Sequence, residues 1–396
     1  MNKLMLLPIA FALAVALGSC GGDDDDTRIP IDSIKGYVQK GPFLDSASIT
    51  VAELTGGLAP SGKDFTVLVE GGFGGFSIDS ITLTSELIEV KAHGAYWNEV
   101  TNQATDSALT LYAVTDVSDR THLNVNVLTH LERERVRHLV EQGVPFADAK
   151  KTAQEEVLII FGVRKPDIVE SELLSITQEG EDNAILLAIS SILQGYQSVQ
   201  ELKQLLDSIS ANIREDGVLN DQNLGSVLVN NAHIINPSRI RSNLQAKYPG
   251  QGIIIPNFGE HVENFKNKTP YRQTNAISYP SQGEHGNNLL DRERTVYTSG
   301  NYSMVANLPY GTSLRVKIRG EFHWYLISGA GWNYGPWDEN DNSRMFYSNR
   351  TGVIDFGVRL QSSQSDEFFT YTNQIEILVY EHHDEEPTWS KVISIE

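Results

Sequence analysis

The 396-residue chain carries 31 Lys and Arg against 51 Asp and Glu, a formal net charge of −20, which excludes the basic surface that binding to nucleic-acid backbones requires. With 40% hydrophobic and 21% charged residues the composition is that of a globular protein, and the length suits two or three domains. The single cysteine, Cys20, excludes any intramolecular disulfide, so the domains must rest on apolar cores.

Residues 1–19 read as a signal peptide. Lys3 supplies a positive end, and residues 4–17 form an apolar run too short to span a bilayer. The run ends in Leu17-Gly18-Ser19-Cys20. This sequence resembles a bacterial lipobox, which implies that Cys20 carries a lipid and anchors the mature chain to a membrane. Residues 20–33 then form an acidic tether. Asp23, Asp24, Asp25 and Asp26 repel one another and stay solvated. The tether is similar to the export signal of surface lipoproteins in Bacteroidota-type Gram-negative bacteria. That resemblance implies a place on the extracellular side of the outer membrane; a spacer with no address is the alternative. No other apolar stretch is long enough for a transmembrane helix.

Residues 34–119 read as β-structure. Ile49 and Val51, then Phe65, Val67 and Val69, alternate with polar or small neighbours apart from Leu68, and further runs occur at 87–90 and 109–112. Turn signals fall at Gly56-Gly57, Ser61-Gly62 and Gly71-Gly72, so the expectation is a small antiparallel β-sandwich. Gly36-Tyr37-Val38-Gln39-Lys40-Gly41-Pro42-Phe43, Ala47-Ser48-Ile49-Thr50-Val51 and Gly75-Phe76-Ser77-Ile78 together resemble the carboxypeptidase-regulatory-like, transthyretin-type β-sandwich. The usual Asp-Gly before the closing strand is Gly74-Gly75 here. The resemblance implies a non-catalytic stalk or adaptor.

Over 120–248 the apolar period changes to that of helices. Leu128, Leu131, Val136, Leu139 and Val140 share one helical side. Thr129 with Glu132 suggests a capping box, and Gly143 a stop. Ala149, Ala153, Val157, Ile160 and Phe161 make a second helix closed by Gly162. Further helices are expected at 182–195, 198–213, 221–231 and 237–246, joined by short loops into a compact helical domain. The block 123–131, with Phe146-Ala147-Asp148-Ala149 and Glu156-Val157-Leu158, is similar to the helical region of the same surface-lipoprotein group. Residues 249–273 read as a linker with a short strand at Ile253-Ile254-Ile255. In 274–396, Leu314, Val316 and Ile318, then Ile354, Phe356, Val358 and Leu360 alternate with polar or small residues, and Ile375, Ile377 and Val379 repeat the spacing apart from Leu378. These strands predict a C-terminal β-sandwich or jelly roll. The fold class expected is therefore multidomain α+β.

The most informative site signal is aromatic. Trp324, Trp332 and Trp337 fall within fourteen residues, beside Phe322, Tyr325, Tyr334, Phe346 and Tyr347. Trp332, Tyr334 and Trp337 sit among Gly331, Asn333, Gly335 and Pro336, which read as a loop. Flat rings on a loop suit stacking on a sugar or packing in a protein groove; core packing of Trp324 and folding of the loop rings over a sheet edge are the competing reading. Asp338, Asn340 and Asn342 have half of a calcium-loop pattern. Ser343 and Asn349 replace the Gly and Glu of that pattern, and the segment reads first as a solvated turn. His130, Glu134 and His138 lie at i, i+4 and i+8, but Arg133, Arg135 and Arg137 among them make this a charged outer helix face and not a metal site. The pair His382-His383 reads as a polar turn. No nucleophile elbow, cysteine nucleophile or nucleotide loop occurs. The reading is a lipid-anchored, non-catalytic extracellular binding protein whose C-terminal aromatic loop would hold a glycan or another extracellular ligand. A structural or adhesion role through protein partners is the alternative, and a polysaccharide hydrolase with dispersed carboxylates is a third reading.

Overall fold

The structure is a computed structural model, described over residues 28–274, 276–278, 289–290, 296–307, 314–319, 325–328, 332–349, 352–361, 374–381, 385–387 and 389–395. It is α+β: strands at both ends of the chain flank a run of helices.

The N-terminal strands are β1 (Ile29–Gln39), β2 (Ser48–Leu54), β3 (Pro60–Leu68), β4 (Gly75–Leu83), β5 (Leu87–Gly94), β6 (Trp97–Asn98), β7 (Gln103–Ala104), β8 (Leu109–Asp116) and β9 (Val125–Asn126). One sheet has the order β4-β1-β9 and another β3-β2-β5-β8; β6 and β7 form a separate ribbon. Alternation sets the faces. Ile49 and Val51 of β2 and Ile88 and Val90 of β5 are buried, and they join Ile34 and Val38 of β1 in one core. The expected turn at Ser61-Gly62 is instead inside β3, where Gly62 takes φ +90° near a register shift opposite β2.

The helices are α1 (Val127–Glu141), α2 (Phe146–Ile160), α3 (Glu181–Gln194), α4 (Val199–Ile213), α5 (Gln222–Ile234), α6 (Pro237–Lys247) and α7 (Gly259–Lys268). Ser198 and Glu201 form a reciprocal capping box on α4, and Asn236 caps α6 with Pro237 in its first turn. The α1 cap differs from expectation. Asn126 is the N-cap and Thr129 is its capping-box partner, so Glu132 is left for another task. The segment read as a linker contains α7, and 253–255 lie outside any strand. Phe258, Val262 and Phe265 are buried there, and the Phe265 ring lies 5.8 Å from that of Phe161. Burial of each such ring contributes roughly 1.5–3 kcal/mol to docking the ten-residue helix.

The core runs without a break from the N-terminal strands into the helices. The segment 36–43 is the reason. A Cβ on Gly36 would lie 1.7 Å from the Leu123 carbonyl oxygen, and one on Gly41 would lie 1.9 Å from that of Trp97. Gln39 accepts from the Ile176 amide at 3.0 Å and donates to Ser175 Oγ at 3.2 Å. Ser190 of α3 donates to the Lys40 carbonyl at 2.6 Å. The Lys40 ammonium is paired with Glu99, and both side chains are fully buried. Burial drives Lys40 down and Glu99 up from their ordinary ranges, each opposed by the other's charge.

The charged side of α1 is an interior contact, contrary to the outer face read from sequence. Arg133 and Arg137 both bond Glu89 of β5, at 2.6 and 2.7 Å, and the Arg133 guanidinium lies 4.4 Å from the Tyr112 ring centre. Arg135 holds Glu156 through two bonds of 2.7 and 2.9 Å. His130 is buried beside Tyr112. The apparent metal spacing is therefore packing: His130 lies against Tyr112, and Glu134 is paired to Arg133.

The C-terminal strands are β10 (Ala276–Ser278), β11 (Leu289–Leu290), β12 (Val296–Asn307), β13 (Leu314–Arg319), β14 (Tyr325–Ser328), β15 (Asn333–Asp338), β16 (Ser343–Ser348), β17 (Gly352–Gln361), β18 (Gln374–Glu381) and β19 (Trp389–Ile395). They form two sheets, β10-β12-β17-β14 and β11-β19-β18-β13-β16-β15. The three alternating runs of the sequence are β13, β17 and β18. Leu314, Val316, Ile318, Ile377 and Val379 are buried, as their alternation requires.

Candidate functional site

The stretch read as an aromatic loop is mostly strand. β15 is the last strand of the six-stranded sheet and pairs antiparallel with β16. Gly335 and Pro336, which signalled a loop, fall at a register shift between Tyr334 and Trp337. An edge strand accommodates them because proline forfeits no ladder bond on its outer side and a bulge absorbs the extra residue.

The register places the rings. Tyr334 is opposite Phe346 and Trp337 is opposite Arg344. In β16, Phe346 and Arg344 are in turn opposite Val316 and Ile318, the buried side of β13. Tyr334 and Trp337 thus continue the core face of the sheet out to its edge, where Tyr334 is 71% exposed. The Arg344 guanidinium lies 5.3 Å from the Tyr334 ring centre, a cation–π contact that fixes the ring's tilt without covering it. Trp332 and Trp337 are half-buried. On the opposite face Tyr347 is 39% exposed beside Arg315, whose guanidinium lies 5.1 Å from the Tyr380 ring centre. Trp324 and Cys20 lie outside the described residues, as does the His382-His383 pair.

Asp338, Asn340 and Asn342 lie at the turn from β15 to β16. Asp338 Oδ1 accepts from the Asn340 backbone amide at 3.0 Å and from its side-chain amide at 3.2 Å. Asn342 takes a left-handed conformation at φ +48°, which asparagine tolerates. Asp341, which the calcium spacing skips, is the anchored residue: it pairs with Lys317, lies 3.6 Å from Arg319, and accepts from Ser343. Burial opposes its ionisation, but Lys317, Ser343 and Arg319 hold its carboxyl below the usual range. The turn is thereby tied to the middle of the sheet, which steadies the strand that presents Tyr334.

A second cluster escaped sequence reasoning. Glu132 of α1 and Glu172 are fully buried, and Lys150 of α2 lies 2.7 Å from the one and 2.6 Å from the other. Ser171 donates to Glu132, and Gln154 donates to Ser171 at 3.1 Å. Burial opposes the charge on Lys150, but Glu132 and Glu172 outweigh it and push its ammonium well above the usual range. Burial also raises the Glu132 carboxyl, and the Glu172 charge adds to that effect. These residues come from three separated stretches of chain, so no spacing announced them. The nearest signal was Glu132 itself, an acid among the apolar residues of α1.

Among the described residues no group of three or more His, Cys, Asp or Glu is arranged to hold a metal ion, and no helix is long and apolar enough to cross a membrane. No family model matches the chain, and a search of curated proteins finds no significant match.

Proposed function

We propose that the mature chain is a lipid-anchored, non-catalytic binding protein, held through Cys20 on the extracellular side of an outer membrane. Its ligand is an extracellular glycan that stacks on the aromatic edge formed by Tyr334, Trp337 and Trp332. The observation that carries this reading is the 71% exposure of Tyr334 on the edge strand, beside half-buried Trp337 and the Arg344 guanidinium. A ring held in place but uncovered offers a flat apolar face with polar groups at its rim, which suits a pyranose. Pro336 and the register shift interrupt the outer edge of β15, which disfavours addition of a peptide strand there.

In this reading the N-terminal strands are a transthyretin-type sandwich that serves with the helices as a stalk, and the C-terminal strands are the distal sandwich. Calcium at Asp338, Asn340 and Asn342 would be structural, steadying the same hairpin. A protein ligand is the second reading, favoured by the residue types: exposed tyrosine, tryptophan and arginine together are those of interface hot spots.

Affinity electrophoresis of the mature protein through gels containing single polysaccharides tests the proposal. Retardation by one polysaccharide, lost in Tyr334→Ala and Trp337→Ala, supports it. Unaltered mobility across the panel, with a stoichiometric protein partner recovered on the same residues, selects the second reading.

A further inference from the structure

The buried Glu132–Lys150–Glu172 cluster forms the inner wall of a cleft of about 930 Å³. The cleft opens between the end of β8 with the loop after it, the first half of α2, and the segment 166–173. This is the size range of sites for small organic ligands.

Its chemistry is asymmetric. Seven acidic residues line it against three lysines and arginines. Two of those three cations are already engaged. Lys150 serves Glu132 and Glu172 together, and Arg120 lies 2.6 Å from Glu170. One ammonium thus faces two buried carboxyl groups, and the lining as a whole stays predominantly acidic. Glu172 Oε2 has no hydrogen-bond partner although the residue is fully buried. A carboxylate closed off from water is weakly screened, and its field projects into the adjoining cleft. An orphaned buried oxygen of this kind is costly unless something compensates it. Exposed Asp119 and Glu155 add negative charge at the mouth.

The remaining walls are apolar. Phe146 and Ile168 line the cleft, with Val169 and Leu173, which are exposed although aliphatic. Exposed aliphatic side chains beside an acidic wall match one kind of ligand: a cationic head on a hydrocarbon stem.

We propose that this cleft binds a primary ammonium or guanidinium carried on an aliphatic stem, with the head directed at the Glu132–Lys150–Glu172 wall and the stem against Ile168, Val169 and Leu173. Such a head is found both on small amines and on lysine or arginine side chains of an extracellular polypeptide. The site is separate from the aromatic strand and does not depend on that strand's ligand.

The test is calorimetric titration of the full mature protein with n-butylammonium, with an acetylated and amidated Gly-Lys-Gly peptide, and with the same peptide bearing norleucine for lysine. Saturable one-to-one binding of an ammonium probe, with the norleucine peptide inert, supports the proposal. Comparable binding of n-butylammonium and the lysine peptide points to free amines, and binding of the peptide alone points to a polypeptide. Glu172→Gln is expected to weaken binding roughly tenfold. Because that buried change can disturb folding, the exposed pair Asp119→Asn with Glu155→Gln provides a second arm, with several-fold weakening expected and thermal unfolding unchanged. Absence of ammonium binding by the folded protein, equal binding of the norleucine peptide, or full affinity in the exposed double variant would overturn it.

Discussion

Lys40 and Glu99 form an ion pair with neither side chain open to solvent, inside the junction between the first strands and α3. Two charges removed from water are held only by each other and by a few dipoles. Removing one partner leaves an uncompensated charge, which costs about 3–5 kcal/mol, whereas replacing both by apolar side chains is often near neutral. Lys40→Met or Glu99→Gln alone is therefore expected to lower stability by that amount, and Lys40→Met with Glu99→Leu by much less. Urea unfolding of the four proteins measures the coupling.

The glycines of segment 36–43 make a second prediction. Backbone oxygens occupy the space that a methyl at Gly36 or Gly41 would need. Backbone moves less readily than a side chain, so Gly36→Ala and Gly41→Ala are each expected to cost at least about 1–3 kcal/mol. Gly56→Ala, where a Cβ meets nothing within 4 Å, is the control and should leave the thermal midpoint nearly unchanged.

His130 gives the protein a pH dependence of known sign. Burial lowers its pKa from an ordinary 6.5 to about 4; Asp207 opposes the effect, and Arg133 and Lys203 add to it. The folded state keeps the ring neutral while the unfolded chain takes up a proton, so unfolding consumes protons between these values. The stability contributed by the neutral ring is complete above about pH 6.5 and is lost as the pH falls toward 4. In His130→Leu the slope of unfolding free energy against pH over that interval should fall by up to about one proton. Equal slopes in the two proteins would contradict the assignment.

Asn126 caps α1, accepting from the Leu128 and Thr129 amides at 3.0 and 3.2 Å while donating to the Ser171 carbonyl at 2.7 Å. Asn126→Ala is expected to cost about 1–2 kcal/mol. Glu132, which sequence spacing offered as the capping partner, should show no capping effect: Glu132→Gln should leave the α1 end protected in hydrogen exchange.

That contrast shows what sequence could reveal. Alternation at 314–318 is dictated by one buried face, so β13 was legible residue by residue; in β18 Leu378 and Tyr380 are buried along with Ile377 and Val379, and this second covered face was not legible. The helix stretches from α1 to α6 were legible for the same reason at a different period. α7 was hidden because it is only ten residues long and follows a Gly- and Pro-rich stretch; its stability comes from Phe258, Val262 and Phe265 packing on distant helices. Lys40–Glu99 and Glu132–Lys150–Glu172 were illegible because an ionised residue in sequence reads as surface until its partner is known. Of the aromatic site, the residues were legible but the geometry was not. Gly335-Pro336 argues for a loop by local propensity, and only pairing with β16 makes the segment an edge strand.

The central claim is that the edge of β15 is a recognition surface, and the most direct measurement is tryptophan fluorescence of the mature protein titrated with a polysaccharide panel, in calcium and in EDTA. The account predicts a saturable shift with one class of saccharide. That shift should disappear in Trp337→Ala and weaken at least about tenfold in Tyr334→Ala. A folded protein whose emission is indifferent to every saccharide, or a shift that survives both substitutions, would contradict it.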